Sequence, residues 1–139
     1  MSYLTRIALA ELHQRKASVD EAVRMRRFDR EAGERLLACW LSIALAAGAA
    51  PRECFALVEH WQEDNEYSDS AARAVLLSDG PRRHEYLAEL ARARNLAAGK
   101  ARANPTNRAL QTRHADLECL AILLGAPSEP ESIAQRLAA

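Results

Sequence analysis

Apolar residues recur along this chain at intervals of three and four, which is the period of a helix with one buried face. Residues 2–16 carry the pattern through Leu4, Ile7, Ala8 and Leu12, and residues 30–47 carry the most apolar version of it. Ala, Leu and Arg, which favour helices, dominate the composition, while β-branched and aromatic residues are scarce. The pattern therefore predicts helices throughout and no strand.

Residues that cap or break helices predict where each helix begins and ends. Ser18 and Glu21 have capping-box spacing, which ends a first helix near residue 16 and opens a second over residues 18–27. Asp29 is placed to cap a third helix that ends before Gly48, and Pro51 fits the first turn of a fourth. The other predicted helices cover about 68–79, 81–98, 104–124 and 128–137, and residues 99–104 are expected to be a connection.

The chain has 139 residues, enough to bury a core without disulfides or metals. We therefore predict an all-α fold, a compact bundle of seven or eight short-to-medium helices, in a single domain that covers residues 1–139. The residues predicted in or near the core are Leu36, Trp40, Ile43, Leu57, Trp61, Leu87, Leu90, Leu117 and Leu120.

The cysteines indicate a reducing compartment. Cys39, Cys54 and Cys119 lie in apolar helical stretches, and an odd number without CxxC spacing argues against a disulfide framework or a zinc site. We expect all three to be inert core residues. The first residues lack the apolar core of a signal peptide, and no apolar run approaches the roughly 20 residues of a membrane span. These features predict a soluble, cytoplasmic protein, and the preference for Arg over Lys is typical of a GC-rich bacterial genome.

The sequence contains no pattern that indicates catalysis. His114 with Glu118, and His60 with Asp64, have the i, i+4 spacing of metal ligands, but neither pair belongs to a longer metal motif. Glycine-rich phosphate-binding loops are absent from the sequence. We therefore expect a protein that is not an enzyme, with no metal, no cofactor and no small-molecule substrate.

Charge is unevenly distributed along the chain. Residues 53–79 contain seven acids and one base, while residues 82–113 contain eight bases and two acids. The acidic residues predicted to bind a partner are Glu59, Glu63, Asp64, Glu66 and Asp69. The basic residues predicted to bind a partner are Arg82, Arg83, Arg92, Arg94, Lys100 and Arg102.

Two interpretations of these charges remain open. The segments can neutralise each other inside the fold, or they can form separate patches for charged partners. The second interpretation predicts a bacterial protein-interaction module, such as an adaptor, an inhibitor or immunity protein, or an assembly subunit, and is compatible with self-association. The alternative is a nucleic-acid-associated subunit that uses residues 82–113, although the neutral overall charge and few aromatic residues favour a protein partner.

Residues 28–48, followed by Ala49-Ala50-Pro51-Arg52-Glu53-Cys54-Phe55, resemble the start of a cytoplasmic helical domain in the inner-membrane platform proteins of type II secretion and type IV pili. In that family a Phe precedes an amphipathic helix that ends in a Gly-Val-Pro-like turn. Gly80 lies where the family closes its second hairpin, and Gly125-Ala126-Pro127-Ser128 is similar to its later Gly-Glu-x-Ser turn.

This resemblance covers about half of the chain, and the sequence departs from the family pattern in several places. Ala126 replaces an acidic residue, Glu129 replaces a Gly, residues 81–113 are longer than expected, and the family's membrane helices are absent. The resemblance implies a non-enzymatic scaffold that contacts an assembly ATPase and pilin-side partners.

Overall fold

The computed structural model describes residues 2–54 and 69–128. Within these residues it contains six helices and no strand, which confirms the all-α prediction. The helices are α1 (Tyr3–Arg24), α2 (Arg30–Ala46), α3 (Pro51–Cys54), α4 (Asp69–Asp79), α5 (Arg83–Ala103) and α6 (Arg108–Leu124). The predicted total of seven or eight is not confirmed, because the first two predicted helices form the single helix α1 and nearly all of the last predicted helix lies outside the described residues.

The first helix is longer than predicted. The expected break at Ser18 is wrong, since α1 runs without interruption from Tyr3 to Arg24. Val19 is buried and continues the apolar stripe of the first half of the helix. Lys16 Nζ lies 2.9 Å from a carboxylate oxygen of Asp20, so an ion pair spans the predicted break. Capping-box spacing does not end a helix whose apolar face continues past it.

The predicted boundaries around α2 are confirmed. The Asp29 carboxylate accepts a hydrogen bond of 3.3 Å from the Ala32 amide at the start of the helix. After its last turn Gly48 has a φ of +102°, a left-handed conformation that glycine adopts without steric cost. Pro51 then begins α3, where its missing amide is not needed.

The predicted connection at residues 99–104 is wrong, because α5 continues through Gly99 to Ala103. Ala101 is buried, so the helix keeps an apolar face beyond the glycine. The side-chain amide of Gln111 donates to the Ala101 carbonyl at 2.8 Å and thereby gives a hydrogen-bond donor to a carbonyl in the last turn of α5. The predicted helix over 104–124 begins later than expected, at Arg108, and Asn107 caps it by accepting a hydrogen bond of 3.2 Å from the Leu110 backbone amide.

The chain divides into two compact units, Met1–Tyr86 and Leu87–Ala139. In the first unit α1 packs along α2, and α4 contacts both α2 and α3. Trp40 and Ile43 on α2 are fully buried. The Arg15 guanidinium of α1 lies 4.1 Å from the centre of the Trp40 ring, a cation–π distance that links the two helices.

In the second unit the buried side chains come from α5 and α6. Leu90, Leu117 and Leu120 have no exposed surface, and Leu87 is also buried. Of the other predicted core residues, Leu36 is half-buried, while Leu57 and Trp61 lie outside the described residues. The prediction of a single domain over residues 1–139 stays a prediction.

The three cysteines differ in exposure. Cys54 is buried and Cys39 is half-buried, but Cys119 is exposed, so the prediction that all three are core residues is wrong for Cys119. The buried stripe of α6 passes through Leu120 and Leu124 and leaves Cys119 on another side of the helix. In residues 2–54 and 69–128, no helix combines the length and the apolarity needed to cross a membrane.

Candidate functional site

Most of the acidic residues predicted to bind a partner lie outside the described residues. Glu59, Glu63, Asp64 and Glu66 lie outside the described residues, as does the side chain of Asp69. Only the backbone of Asp69 is described, at the first position of α4.

The basic residues predicted to bind a partner are mostly exposed. Arg82 and Arg83 are exposed in the first unit, and Arg92, Lys100 and Arg102 are exposed in the second. Arg92 forms a two-point ion pair with Glu89, one turn earlier on α5, through its Nε and Nη2 atoms. This hydrogen bonding raises the pKa of Arg92 above its ordinary value. The positive charge of Arg92 is therefore paired with Glu89 within the chain.

Arg94 differs from the other five residues because only 4% of its surface is exposed. Its Nη2 atom donates to the carbonyl of Pro127 at 2.6 Å and to the side-chain oxygen of Asn95 at 3.1 Å. Its Nε atom lies 3.7 Å from a carboxylate oxygen of Glu118. Arg94 therefore holds the chain after α6 and is not part of an exposed basic surface.

A groove of about 1170 Å³ lies in the first unit, between the C-terminal half of α1 and the N-terminal two-thirds of α2. Its floor is apolar, and the floor residues are Leu12, Val19, Val23, Leu37, Ala38 and Leu41. Leu12 and Val19 are buried, while the other four are half-buried and thus reachable from solvent. The pairing of α1 with α2 creates this apolar depression.

Charged side chains surround the apolar floor. The charged residues that line the groove are Lys16, Asp20, Arg24, Arg26, Arg30, Glu31, Glu34 and Arg35. Two ion pairs form within this set, Lys16 with Asp20 at 2.9 Å and Arg35 with Glu31 at 3.3 Å. The charges outside these two pairs are three arginines and one glutamate, so the rim is positive at the end where α1 turns into α2.

That turn has an unusual residue at its centre. The Arg27 amide donates to the Ala22 carbonyl at 2.9 Å and the Arg26 amide donates to the Val23 carbonyl at 3.0 Å, which are the two hydrogen bonds of a Schellman motif. Arg26 has a φ of +58°, the left-handed conformation that the motif requires and that glycine normally occupies. An arginine that lines the groove is thus held in a backbone conformation that costs it free energy.

Two apolar side chains are exposed beside these arginines. Met25 and Phe28, in the turn between α1 and α2, have 53% and 39% of their surface exposed. Exposed apolar and aromatic residues next to arginines are the composition found at the centres of protein interfaces. The turn therefore presents apolar side chains to solvent beside the arginines that line the groove.

A close contact between α1 and α2 supports the floor of the groove. A Cβ atom at Gly33 would lie 2.7 Å from the Cγ1 atom of Val19 and 3.5 Å from the Cγ2 atom of Val23. Valine is stiff about χ1, so Val19 cannot turn aside easily. Only glycine at position 33 lets α2 approach the two valines that line the floor.

The turn at the other end of α2 is partly buried, with Ala49 buried and Gly48 exposed, and it is hydrogen-bonded to neighbouring helices. The Thr5 hydroxyl of α1 donates to the Ala47 carbonyl at 2.5 Å. The Arg73 guanidinium of α4 donates to the Ala49 carbonyl at 3.0 Å and to the Gly48 carbonyl at 3.4 Å. Side chains from two other helices therefore satisfy the carbonyls that follow α2.

The described residues offer little chemistry for catalysis. Burial raises the pKa of the Cys54 thiol to about 11, and the nearby Glu53 carboxylate adds to the shift, so Cys54 is a weak nucleophile at neutral pH. No group of three or more His, Cys, Asp or Glu side chains that could hold a metal ion occurs in the described part of the chain.

Sequence reasoning missed this groove. The signal that could have found it is the segment 24–30, which contains four arginines and one acid, with Met25 and Phe28 between them.

Comparison with protein-family models, with curated proteins and with solved structures finds no match to this chain.

Proposed function

We propose that this protein is a non-enzymatic, bacterial, cytoplasmic protein-interaction module that binds its partner in the groove between α1 and α2. The observation that carries the proposal is the groove itself, with its apolar floor and charged rim. Its volume of about 1170 Å³ exceeds the roughly 300–1,000 Å³ of small-molecule sites. Such a groove has the size and composition to take side chains of another protein. An adaptor, an inhibitor or immunity protein, and an assembly subunit are all modules of this kind.

Binding of nucleic acid through residues 82–113 is the alternative. The exposed cations Arg82, Arg83, Lys100 and Arg102 favour it, since phosphate contacts come from accessible Lys and Arg. It has less support than a protein partner, because Arg94 is buried and Arg92 is paired with Glu89. A scaffold domain like that of the platform proteins would be a protein-interaction module of the proposed class.

The proposal is tested by filling the groove. Ala38 lies on the groove floor and Ala115 lies on the exposed side of α6, so Ala38→Trp and Ala115→Trp make the same change inside and outside the groove. Tagged wild type and both variants are used to capture proteins from a host lysate with and without nuclease. We expect proteins retained by wild type and by Ala115→Trp, with nuclease present, to be lost from Ala38→Trp.

Circular dichroism and thermal unfolding of both variants show whether each remains folded. Loss of every retained component on nuclease treatment would favour the nucleic-acid alternative. Equal retention by the two folded variants would contradict binding in the groove.

A further inference from the structure

The lining of the groove limits what kind of protein segment can occupy it. The groove extends along α1 from Leu12 to Arg24, which at 1.5 Å per residue is roughly 18 Å. It lies between two helices, whose central backbone amides and carbonyls are already hydrogen-bonded within each helix. The floor thus offers apolar side chains and no backbone groups with which an extended peptide could pair. A segment buried there must therefore pair its backbone N–H and C=O groups with each other. A helix of about three turns does so and matches the length of the groove.

The rim selects the charge of that segment. Among the described residues, Arg24, Arg26 and Arg30 form no ion pair, and they lie where the two helices meet at the turn. Glu34 is the one lining acid outside the two ion pairs of the rim. A partner with acidic side chains at this end would gain attraction and faster association, while a basic partner would be repelled.

We propose that the occupant of the groove is an acidic amphipathic helix of a partner protein. Its apolar side chains, at positions i, i+3 or i+4 and i+7, contact the floor from Leu12 to Val23. Its carboxylates lie against Arg24, Arg26 and Arg30. This inference rests on the proposed function, because it names the chemistry of the partner that the groove binds.

An anionic membrane or a nucleic acid would also be attracted to the arginines. A bilayer surface is broad and smooth, however, and does not fill a narrow depression between two helices. A polynucleotide would cover the arginines and leave the apolar floor exposed to water, since its backbone is charged. The apolar floor next to the positive rim therefore favours a helix that carries both kinds of side chain.

A library of random 14-residue peptides displayed on phage tests the inference, with wild-type protein for selection and Ala38→Trp for counter-selection. The expected result is enrichment of net-acidic peptides whose apolar residues have helical spacing. Enriched peptides that are neutral or basic, or that lack helical spacing, would overturn this inference and leave the proposed function standing. If no peptide distinguishes wild type from the folded Ala38→Trp variant, both are overturned.

Charge reversal then locates the carboxylates of an enriched peptide. We expect the triple variant R24E/R26E/R30E to bind the labelled peptide at least about tenfold more weakly than wild type. The matched control K100E/R102E/R108E makes the same charge change in the second unit and should stay within about twofold. Neutral R24Q/R26Q/R30Q, expected to be intermediate, separates loss of attraction from repulsion. Equal weakening by both glutamate variants would overturn the assignment of the rim.

Binding measurements with other anionic probes distinguish the helix from a membrane or a nucleic acid. Fluorescence titration with phosphatidylserine vesicles and with a single-stranded oligonucleotide should show weaker binding than the selected peptide at physiological salt. Binding of either probe that equals the peptide's and is lost with R24E/R26E/R30E but not with Ala38→Trp would overturn the helix assignment.

Discussion

The turns at the two ends of α2 share a backbone motif and differ in what surrounds it. After α2, the Ala49 amide donates to the Ala44 carbonyl at 3.0 Å and the Gly48 amide donates to the Leu45 carbonyl at 3.1 Å. These are the same two hydrogen bonds that Arg27 and Arg26 make after α1. The left-handed residue is Gly48 in one turn and Arg26 in the other.

The environments of the two turns explain this difference. The turn after α2 is held by Thr5 and Arg73 from other helices, so its residues serve the stability of the fold. The turn before α2 exposes Met25, Phe28 and its arginines. A costly residue at the left-handed position is found where a side chain is presented to solvent, which is consistent with a binding role at Arg26.

Removing the arginine that donates hydrogen bonds to the turn after α2 should have the largest effect on stability. Arg73→Met leaves the carbonyls of Gly48 and Ala49 without their guanidinium donor, and Ala49 has no exposed surface. We expect the free energy of unfolding to fall by about 2 kcal/mol, the range for hydrogen bonds from a charged group. Urea denaturation measures it. Arg82→Met, at an exposed arginine, should change it by less than about 0.5 kcal/mol, and an equal loss in both would contradict the role of Arg73.

Adding a side chain at the left-handed glycine should have the next largest effect. Gly48→Ala introduces a Cβ in a conformation that alanine disfavours, 3.4 Å from the Thr5 hydroxyl oxygen. We expect a loss of about 1–2 kcal/mol in unfolding free energy. Gly99→Ala is the matched control, because it lies inside α5 with no atom within 4 Å of the new Cβ. It should raise stability by about 0.5–1 kcal/mol, so the two substitutions are expected to have opposite signs.

The reverse change in the exposed turn should separate stability from binding. Arg26→Gly removes the steric cost of a φ of +58° and should raise the unfolding free energy by about 0.5–1 kcal/mol. It also removes one arginine from the rim, so binding of a selected acidic peptide should weaken severalfold. Arg27→Gly, at the next position of the same turn, should give no such gain in stability. A fall in stability at Arg26→Gly would show that the two turns are not equivalent in backbone strain.

The smallest effect is expected from Cys54, the buried thiol that follows the turn after α2. Its pKa is about 11 in the folded protein and 9.0 ordinarily, so the unfolded chain releases this proton first as pH rises. The resulting stability is present below pH 9 and is lost as pH rises towards 11. Replacing Cys54 by Ala should therefore flatten the decline in unfolding free energy above pH 9, by about a few tenths of a kcal/mol near pH 9. Parallel curves for wild type and variant would contradict the shift.

Local signals predicted the ends of α2 because the chemistry that sets them is local. Asp29, Gly48 and Pro51 each act on backbone groups within a few residues, so their roles follow from sequence spacing alone. Ser18 failed as a boundary because its outcome depends on tertiary packing. Val19 is buried against α2, and that contact favours a continuous helix over a cap.

The groove was harder to predict than the helices that form it. Leu12, Val23 and Leu41 fit the apolar period of a core-facing stripe, and periodicity does not distinguish a buried position from a groove floor. The pairing of α1 with α2 decides which apolar residues stay accessible. The charge count had a different weakness, since it treated Arg94 as a surface residue although its guanidinium is used inside the second unit.

The glycine at position 33 influences the shape of the groove floor, although it does not itself line the groove. Val19 occupies the space that a side chain at position 33 would need, and Val19 also lines the groove. A methyl group added at position 33 would lie 2.7 Å from the Cγ1 atom of Val19 and would displace this side chain, which changes the shape of the floor. A substitution at a buried position that does not itself line the groove would therefore change the shape of the surface that the groove presents to solvent.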